Sequence, residues 1–244
     1  MTINFASRVR TVMVGLISII GATLLHASSF TVSPTRIPLS EKQRAITVRL
    51  LNTGDDPVTV QAHVVAWSLS ANKDIYNDTD DVMLNPPIFN LAPGKPQLMR
   101  LGLRHLSAGE SEIAYRLVVE EVPPAPRHGE IILRTVLRIS IPIFVEPRGE
   151  AKKQVDWKAE AFPGGVKVTA TNNGNSHVQV KQLDLLPDGS SKPLASKKSL
   201  EYLLPGQTRE WTFEEEQFQT AQKLSLTAAT DAGNFSVSLA PTTR

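Results

Sequence analysis

Apolar and polar residues alternate with a period of two along most of this chain, and no stretch shows the spacing of a sustained amphipathic helix. The clearest runs are 44–51, 58–69, 99–104 and 113–122. Clusters of Pro, Gly, Asn and Asp follow these runs, as in Asn52–Pro57. Short alternating strands separated by such turns are typical of antiparallel sandwiches and barrels, so the sequence predicts an all-β protein.

Length and composition limit the number of domains and the kinds of site and partner that this chain can have. The 244 residues suffice for one large domain or two of about 100–120 residues each. The chain has no cysteine, which excludes disulfides, thiolate metal sites and a cysteine nucleophile. Beyond residue 29 it carries 24 basic and 24 acidic side chains. This balance gives no general electrostatic footprint for nucleic acid or for an anionic membrane.

The first 29 residues have the pattern of a secretory signal peptide. Two arginines lie within Met1–Arg10, and Thr11–Leu25 is apolar or small. This apolar run of 15 residues is shorter than the roughly 20 residues that a membrane span needs, which disfavours a membrane anchor. We expect cleavage after Ala27 or Ser29, and export of the remaining chain.

A composition shift near Pro147 predicts a domain boundary. Residues 30–149 contain 10 Arg and 3 Lys, whereas residues 150–244 contain 2 Arg and 9 Lys. Both parts alternate like strands. We expect domains at 30–147 and 148–244, joined by a short linker that holds them at a fixed angle with a cleft between them.

The sequence offers no constellation for catalysis. Beyond the signal peptide the histidines lie far apart, without metal-binding spacing: His63, His105, His128 and His177. There is no G-x-S-x-G elbow, P-loop or dinucleotide-binding motif. We therefore predict a protein that is not an enzyme and that uses no metal and no cofactor.

The run Ile131–Val145 is the informative anomaly. Its odd positions are apolar or β-branched, and its even positions mix apolar residues with Arg134, Arg138 and Ser140. About 15 residues is long for a strand, so one end should project beyond its neighbours. The strand is either a central one buried on both faces or an edge kept open for pairing with a partner's backbone, and the pattern alone leaves both open.

Several segments, in order, resemble the PapD-like periplasmic chaperones of pilus assembly. They cover the chain from the signal peptide to the second half: Thr31–Arg36, Asn85–Gly94, Tyr115–Leu117, Glu121–Pro124, Ile139–Pro147, Asn172–Gly174 and Tyr202–Trp211. The short 122–130 connection and the IPIFVEP ending are more similar to the archaic branch of the chaperone–usher pathway.

The resemblance implies two immunoglobulin-like β-sandwiches in an L-shaped arrangement and a binding function without a reaction. Such a chaperone lends a strand to a pilus subunit that lacks its own last strand, and delivers it to an outer-membrane usher. By alignment with the family, the donor side chains are Leu133, Thr135 and Leu137, extended by Ile131 and Ile139. The implied partners are pilus subunits and the usher, with weak self-association as an option for the free protein.

The resemblance also implies a cationic anchor for the subunit's C-terminal carboxylate. Arg36 matches an arginine on the family's first strand, but the position of the family's lysine is Pro142 in this chain. Arg116 and Arg138 are the candidates to replace it, since a guanidinium grips a carboxylate with two hydrogen bonds. The alternative function is a secreted immunoglobulin-like structural or adhesive pilus component.

Overall fold

The structure is a computed structural model that describes residues 30–105, 109–124, 135–162, 164–187, 189–214 and 223–239. Within these ranges every helix or strand element is a β-strand, as the alternation predicts. A helix long and apolar enough to cross a membrane is not found among these residues.

The described residues form seventeen strands, numbered in chain order. They are β1 Phe30–Ser33, β2 Ile37–Leu39, β3 Ala45–Asn52, β4 Val58–Ser70, β5 Lys73–Asp78, β6 Val82–Asn85, β7 Ile88–Leu91, β8 Pro96–Leu103, β9 Ile113–Val122, β10 Arg138–Val145, β11 Val155–Phe162, β12 Gly165–Asn172, β13 Val178–Pro187, β14 Ala195–Leu203, β15 Thr208–Glu214, β16 Leu224–Thr230 and β17 Gly233–Leu239.

Strands β1 to β10 build a first sandwich. One sheet has the order β1-β3-β8-β6, and the other has the order β2-β10-β9-β4-β5, with β7 also paired to β4. Alternate residues of the two sheets meet in a core that includes Leu50, Met99, Leu101, Leu117 and Ile143, none more than 2% exposed. The period-two pattern therefore places this core correctly.

Strands β11 to β17 build a second sandwich with its own core. Its sheets have the orders β11-β12-β15 and β14-β13-β16-β17. Val168, Leu183, Leu185 and Leu226 fill the space between these sheets, and each is at most 1% exposed. In a cysteine-free chain the two cores supply the main favourable term in folding.

A buried asparagine fixes a turn in the first sandwich. Nδ2 of Asn52 donates to the carbonyl oxygens of Asp56 (2.7 Å) and Leu91 (3.1 Å). Its Oδ1 accepts from the N–H of Gly54 at 2.9 Å. One side chain thus ties the β3–β4 turn to the end of β7.

The second sandwich repeats this arrangement. Nδ2 of Asn172 donates to the carbonyl oxygens of Ser176 (2.8 Å) and Leu203 (2.9 Å), and its Oδ1 accepts from the N–H of Gly174 at 2.9 Å. Both asparagines are 0% exposed. Buried amides are stable when hydrogen-bonded in this way, which explains why these polar side chains lie inside.

The two sandwiches meet through an apolar and aromatic contact. Trp67, Ala114 and Phe144 of the first pack with Tyr202 and Leu204 of the second, and all five are buried. Because of this contact, β4 buries part of both faces at its end. Trp67 lies on the face opposite the apolar row of β4, and it is buried there by the second sandwich.

The run Ile131–Val145 is a strand over only part of its described residues. β10 begins at Arg138, and residues 135–137 are described but lie outside the strand. The prediction is therefore wrong for these three residues. They precede the paired part of the strand, although the carbonyl oxygen of Leu137 still accepts from the N–H of Glu121 at 3.0 Å.

Candidate functional site

One long side of β10 is open in the described part of the chain. Residues 138–145 pair with β9 along their whole length. On the other side, β2 pairs in parallel only with residues 143–145. The segment 138–142 is therefore an edge within the described ranges, the second of the two alternatives left open by the sequence.

The apolar row predicted on the odd positions emerges from the sandwich's own core. Ile141 and Ile143 are buried in that core, and Ile139 packs against its border. Leu137 is half-buried and Thr135 is exposed. The row thus becomes progressively accessible toward its N-terminal end. Ile131 and Leu133, predicted to continue it, lie outside the described residues.

Along β10 the backbone N–H and C=O groups of odd-numbered and even-numbered residues point to opposite sides of the strand. The carbonyl oxygen of Leu137 accepts from the N–H of Glu121, so the N–H and C=O groups of odd-numbered residues point toward β9. The N–H and C=O groups of Arg138 and Ser140 consequently point to the open side. Pro142 is also even-numbered, so the backbone N–H that proline lacks would point away from β9. Proline is tolerated in strands at such edge positions, which explains why this strand accommodates it.

Arg36 lies at the junction of the two sandwiches. It falls in the bend between β1 and β2, so the expectation that it belongs to a strand is wrong. Its guanidinium donates to Oδ2 of Asp231 (3.1 Å), to Oε1 of Gln179 (3.0 Å) and to the hydroxyl of Tyr202 (3.4 Å). Arg36 is thus already engaged by the second sandwich, with a side chain that is 40% exposed.

Arg116 lies on β9 at the same junction but has a different environment. Its guanidinium carbon lies 3.7 Å from the centroid of the Trp67 ring, a cation–π contact. Its Nε is buried and has no hydrogen-bond partner among the described residues. Burial lowers the pKa of Arg116, yet a guanidinium keeps its charge at neutral pH. Arg116 is a cation without an acidic hydrogen-bond partner in the described ranges.

Tyr202 brings the two arginines together. The guanidinium carbons of Arg36 and Arg116 lie 5.7 and 5.6 Å from the centroid of its ring. The sequence identifies neither Tyr202 nor Trp67 as part of the site. No local signal points to them, because they meet these arginines only through the packing of the two sandwiches.

Arg138 lies apart from this pair. It is opposite Glu120 in the β9–β10 ladder, and its Nε is 3.8 Å from Oε2 of that residue. Its side chain is 64% exposed. Four residues along β10 separate it from Pro142, the residue opposite Arg116, which corresponds to roughly 13 Å of strand. Of the three predicted anchor residues, the fold brings only Arg36 and Arg116 together.

Two surface grooves lie elsewhere, on either side of the exposed Leu200. Their volumes are about 470 and 570 Å³, and their linings include Lys198 and Ser199 in both cases. They share no residue with the edge of β10 or with the two arginines. The chemistry of the candidate site therefore belongs to an open edge and a domain junction, not to an enclosed pocket.

These features define a class of protein: a two-sandwich, all-β protein with an accessible strand edge beside a cationic junction. A family model described as the pili and flagellar-assembly chaperone, PapD N-terminal domain, matches residues 29–151, just over half of the chain. The chain belongs to this family, whose role as a chaperone is non-enzymatic. The resemblance noted in the sequence is confirmed.

Curated relatives carry the same description. The chain is 27% identical over 193 residues to the chaperone protein FimB/FhaD of Bordetella pertussis, covering 71% of this chain and 77% of that one. It is 29% identical over 159 residues to the chaperone protein MrkB of Klebsiella pneumoniae, covering 62% and 63%.

Solved structures confirm the fold class. The chaperone–tip adhesion subunit complex CsuC–CsuE, from archaic chaperone–usher Csu pili of Acinetobacter baumannii, matches with a TM-score of 0.67 at 20% identity. The match covers 88% of this chain and 100% of that one. The YadV chaperone matches with a TM-score of 0.61 at 20% identity, covering 86% and 99%. The predicted all-β fold with two immunoglobulin-like sandwiches is therefore confirmed.

Proposed function

We propose that this protein binds pilus subunits by donor-strand complementation and hands them to an outer-membrane usher. The observation that carries the proposal is the open edge of β10 at 138–142, with an apolar row running out of the core beside it. An open apolar edge is an aggregation hazard unless a partner's backbone pairs with it.

Side chains and backbone supply different parts of the binding. The N–H and C=O groups of Arg138 and Ser140 hydrogen-bond an incoming strand of any sequence. The odd row, Ile131, Leu133, Thr135, Leu137 and Ile139, inserts into the open core of the subunit. Each fully buried Leu or Ile contributes roughly 1.5–3 kcal/mol, so three or four of them offset much of what the subunit lacks.

Arg116 is the carboxylate anchor in this proposal, with Arg36 in support. Arg116 has unused hydrogen-bond donors, whereas Arg36 already donates to Asp231 and Gln179. A carboxylate next to Arg116 relieves the unpaired burial of its Nε and gains a charge-assisted hydrogen bond. Arg138 is too exposed and too distant to share this carboxylate.

The remaining expectations complete the proposal. Residues 1–29 are an export signal, and 30–147 and 148–244 are the two domains of a periplasmic protein of the archaic branch. The protein acts without an enzymatic reaction, metal or cofactor. The free form self-associates weakly, because its β10 edge is open. The alternative, a structural or adhesive pilus component, is not favoured, since the family and the curated relatives are chaperones.

Coexpression with a pilus subunit of the same bacterium tests this function. Leu137→Glu, alone and with Leu133→Glu, places a carboxylate in the subunit core and is expected to abolish copurification. The matched control is Val136→Glu, because Val136 is 48% exposed and its side chain has the opposite parity. We expect the control to retain the complex.

Circular dichroism of each variant establishes that the fold is intact. Equal loss of the complex in Leu137→Glu and Val136→Glu, with both folded, would contradict the assignment of the odd row. Retention of the complex in the double variant would contradict donor-strand complementation itself.

A further inference from the structure

A buried histidine joins the two sandwiches. His177, just before β13, is 7% exposed, and its Nδ1 lies 2.8 and 2.9 Å from the two carboxylate oxygens of Glu112, just before β9. Its Nε2 lies 3.6 Å from Oδ2 of Asp231, in the β16–β17 turn, an ionic contact in which Nε2 makes no hydrogen bond with the described residues. One imidazole is therefore held between two carboxylates, one from each sandwich.

Two aromatic rings lie against this imidazole, and two cations lie beyond Asp231. Phe144 of β10 stacks on it at 3.6 Å with an interplanar angle of 11°, and the ring of Tyr202 on β14 lies 5.6 Å away. Lys153, before β11, and Arg36 both contact Oδ2 of Asp231, at 3.3 and 3.1 Å. The charged groups that face His177 are thus two carboxylates at its nitrogens and two cations behind Asp231.

The protonation state of the ring decides how many carboxylates it binds. Neutral imidazole with its one N–H at Nδ1 donates to Glu112 alone, while imidazolium also directs a charged N–H at Nε2 toward Asp231. Asp231 also accepts the N–H of Gln179 and the guanidinium of Arg36. The same carboxylate that His177 binds therefore holds an arginine of the candidate site.

We propose that protonated His177 locks the two sandwiches together through Glu112 and Asp231, and that this lock holds Arg36 in place for subunit capture. The role of the lock in subunit capture rests on the proposed function, whereas the lock between the two sandwiches does not. The chain thereby couples the geometry of its binding site to the pH of its surroundings.

The direction of the pH dependence follows from the environment. Burial alone lowers the pKa of His177, but the attraction of the Asp231 and Glu112 carboxylates outweighs this, and the net effect raises the pKa above 6.5. Burial also opposes ionisation of Asp231, but the nearby His177 and the N–H of Gln179 hold its pKa well below the usual range. The lock is therefore fully present below about pH 6.5 and is lost as pH rises through the raised pKa of His177.

NMR titration of the imidazole nitrogens in the free protein tests the lock directly. We expect His177 to titrate above 6.5, and Glu112→Gln to shift its midpoint downward. A His177 midpoint at or below 6.5 would overturn the proposal.

Urea unfolding at a series of pH values provides the second measurement. The wild type is expected to lose stability as pH rises from about 6.5 through the raised pKa of His177, and His177→Gln is expected to lack this loss. The control His105→Gln should behave like the wild type. Identical pH profiles for the wild type and a folded His177→Gln would also overturn the proposal.

Subunit capture separates this inference from the proposed function. If the complex forms at pH 6 and weakens toward pH 9 in the wild type but not in His177→Gln, the result supports both the proposed function and the coupling of the lock to the site. Failure to form a complex at any pH contradicts the proposed function, while the titration of the free protein still decides the lock. Capture with the same pH dependence in both proteins overturns the coupling of the lock to the site.

Discussion

Arg116 on β9 lies directly opposite Pro142 on β10 in the antiparallel ladder. Residues opposite each other in this way have Cβ atoms about 4.5–5.5 Å apart. Pro142 occupies the position at which the resemblance leads one to expect a lysine. Arg116 therefore places a cation on the neighbouring strand, directly beside the position at which β10 has Pro142 instead of a lysine.

Arg116→Ala is expected to weaken subunit binding more than Arg36→Ala. Loss of a charge-assisted hydrogen bond costs about 1.5–3 kcal/mol, which corresponds to a rise in Kd of about 10-fold to 150-fold. Binding titrations with a freshly released subunit, whose groove is open, measure the effect. The charge-restoring variant Pro142→Lys in the Arg116→Ala background is expected to recover part of the affinity. A larger loss from Arg36→Ala would assign the anchor to Arg36 instead.

The repeated asparagine turns give a stability prediction. Asn52→Ala and Asn172→Ala each leave two carbonyl groups without their amide donor, one of them buried for Asn52 and both buried for Asn172. We expect each substitution to lower the free energy of unfolding by about 1–3 kcal/mol. Urea unfolding measures this change. Asn90→Ala is the control, because Asn90 makes an exposed bond to Thr59, and it should change stability by less than either.

A buried arginine gives a prediction about the junction. Arg209 is 4% exposed, donates from Nε to the carbonyl oxygen of Tyr202 at 2.8 Å, and forms an ion pair with Asp74 of the first sandwich. Asp74→Asn should loosen the contact between the sandwiches while leaving each core intact. Small-angle scattering is expected to show a larger radius of gyration for this variant. The exposed Asp78→Asn is the control, and equal scattering of both variants would contradict a role for this ion pair.

The alternation of apolar residues predicts the strands and the two cores because it depends only on which side chains face inward. It predicts the odd row of β10 for the same reason. Whether β10 is an edge depends on the strand order of the sheet, which period-two patterning does not encode. The run 131–145 is accordingly compatible with both a central and an edge strand.

The junction lies beyond the reach of local patterns. The spacing of the histidines gives no indication of a role for His177, which lies buried between Glu112 and Asp231. These residues are far apart in the chain and meet only when both sandwiches are packed. The resemblance assigns Arg36 to a strand, and its pairing with Asp231 also arises from tertiary contact alone.

Amide hydrogen exchange on β10 tests the central claim most directly, because strand parity separates two sets of N–H groups. The amides of Ile139 and Ile141 face β9 and should be protected in the free protein and in the complex. The amide of Ser140 faces the open edge and should exchange rapidly when free and become protected when a subunit is bound. Rapid exchange of Ser140 in a stable complex would contradict pairing of the subunit with this edge.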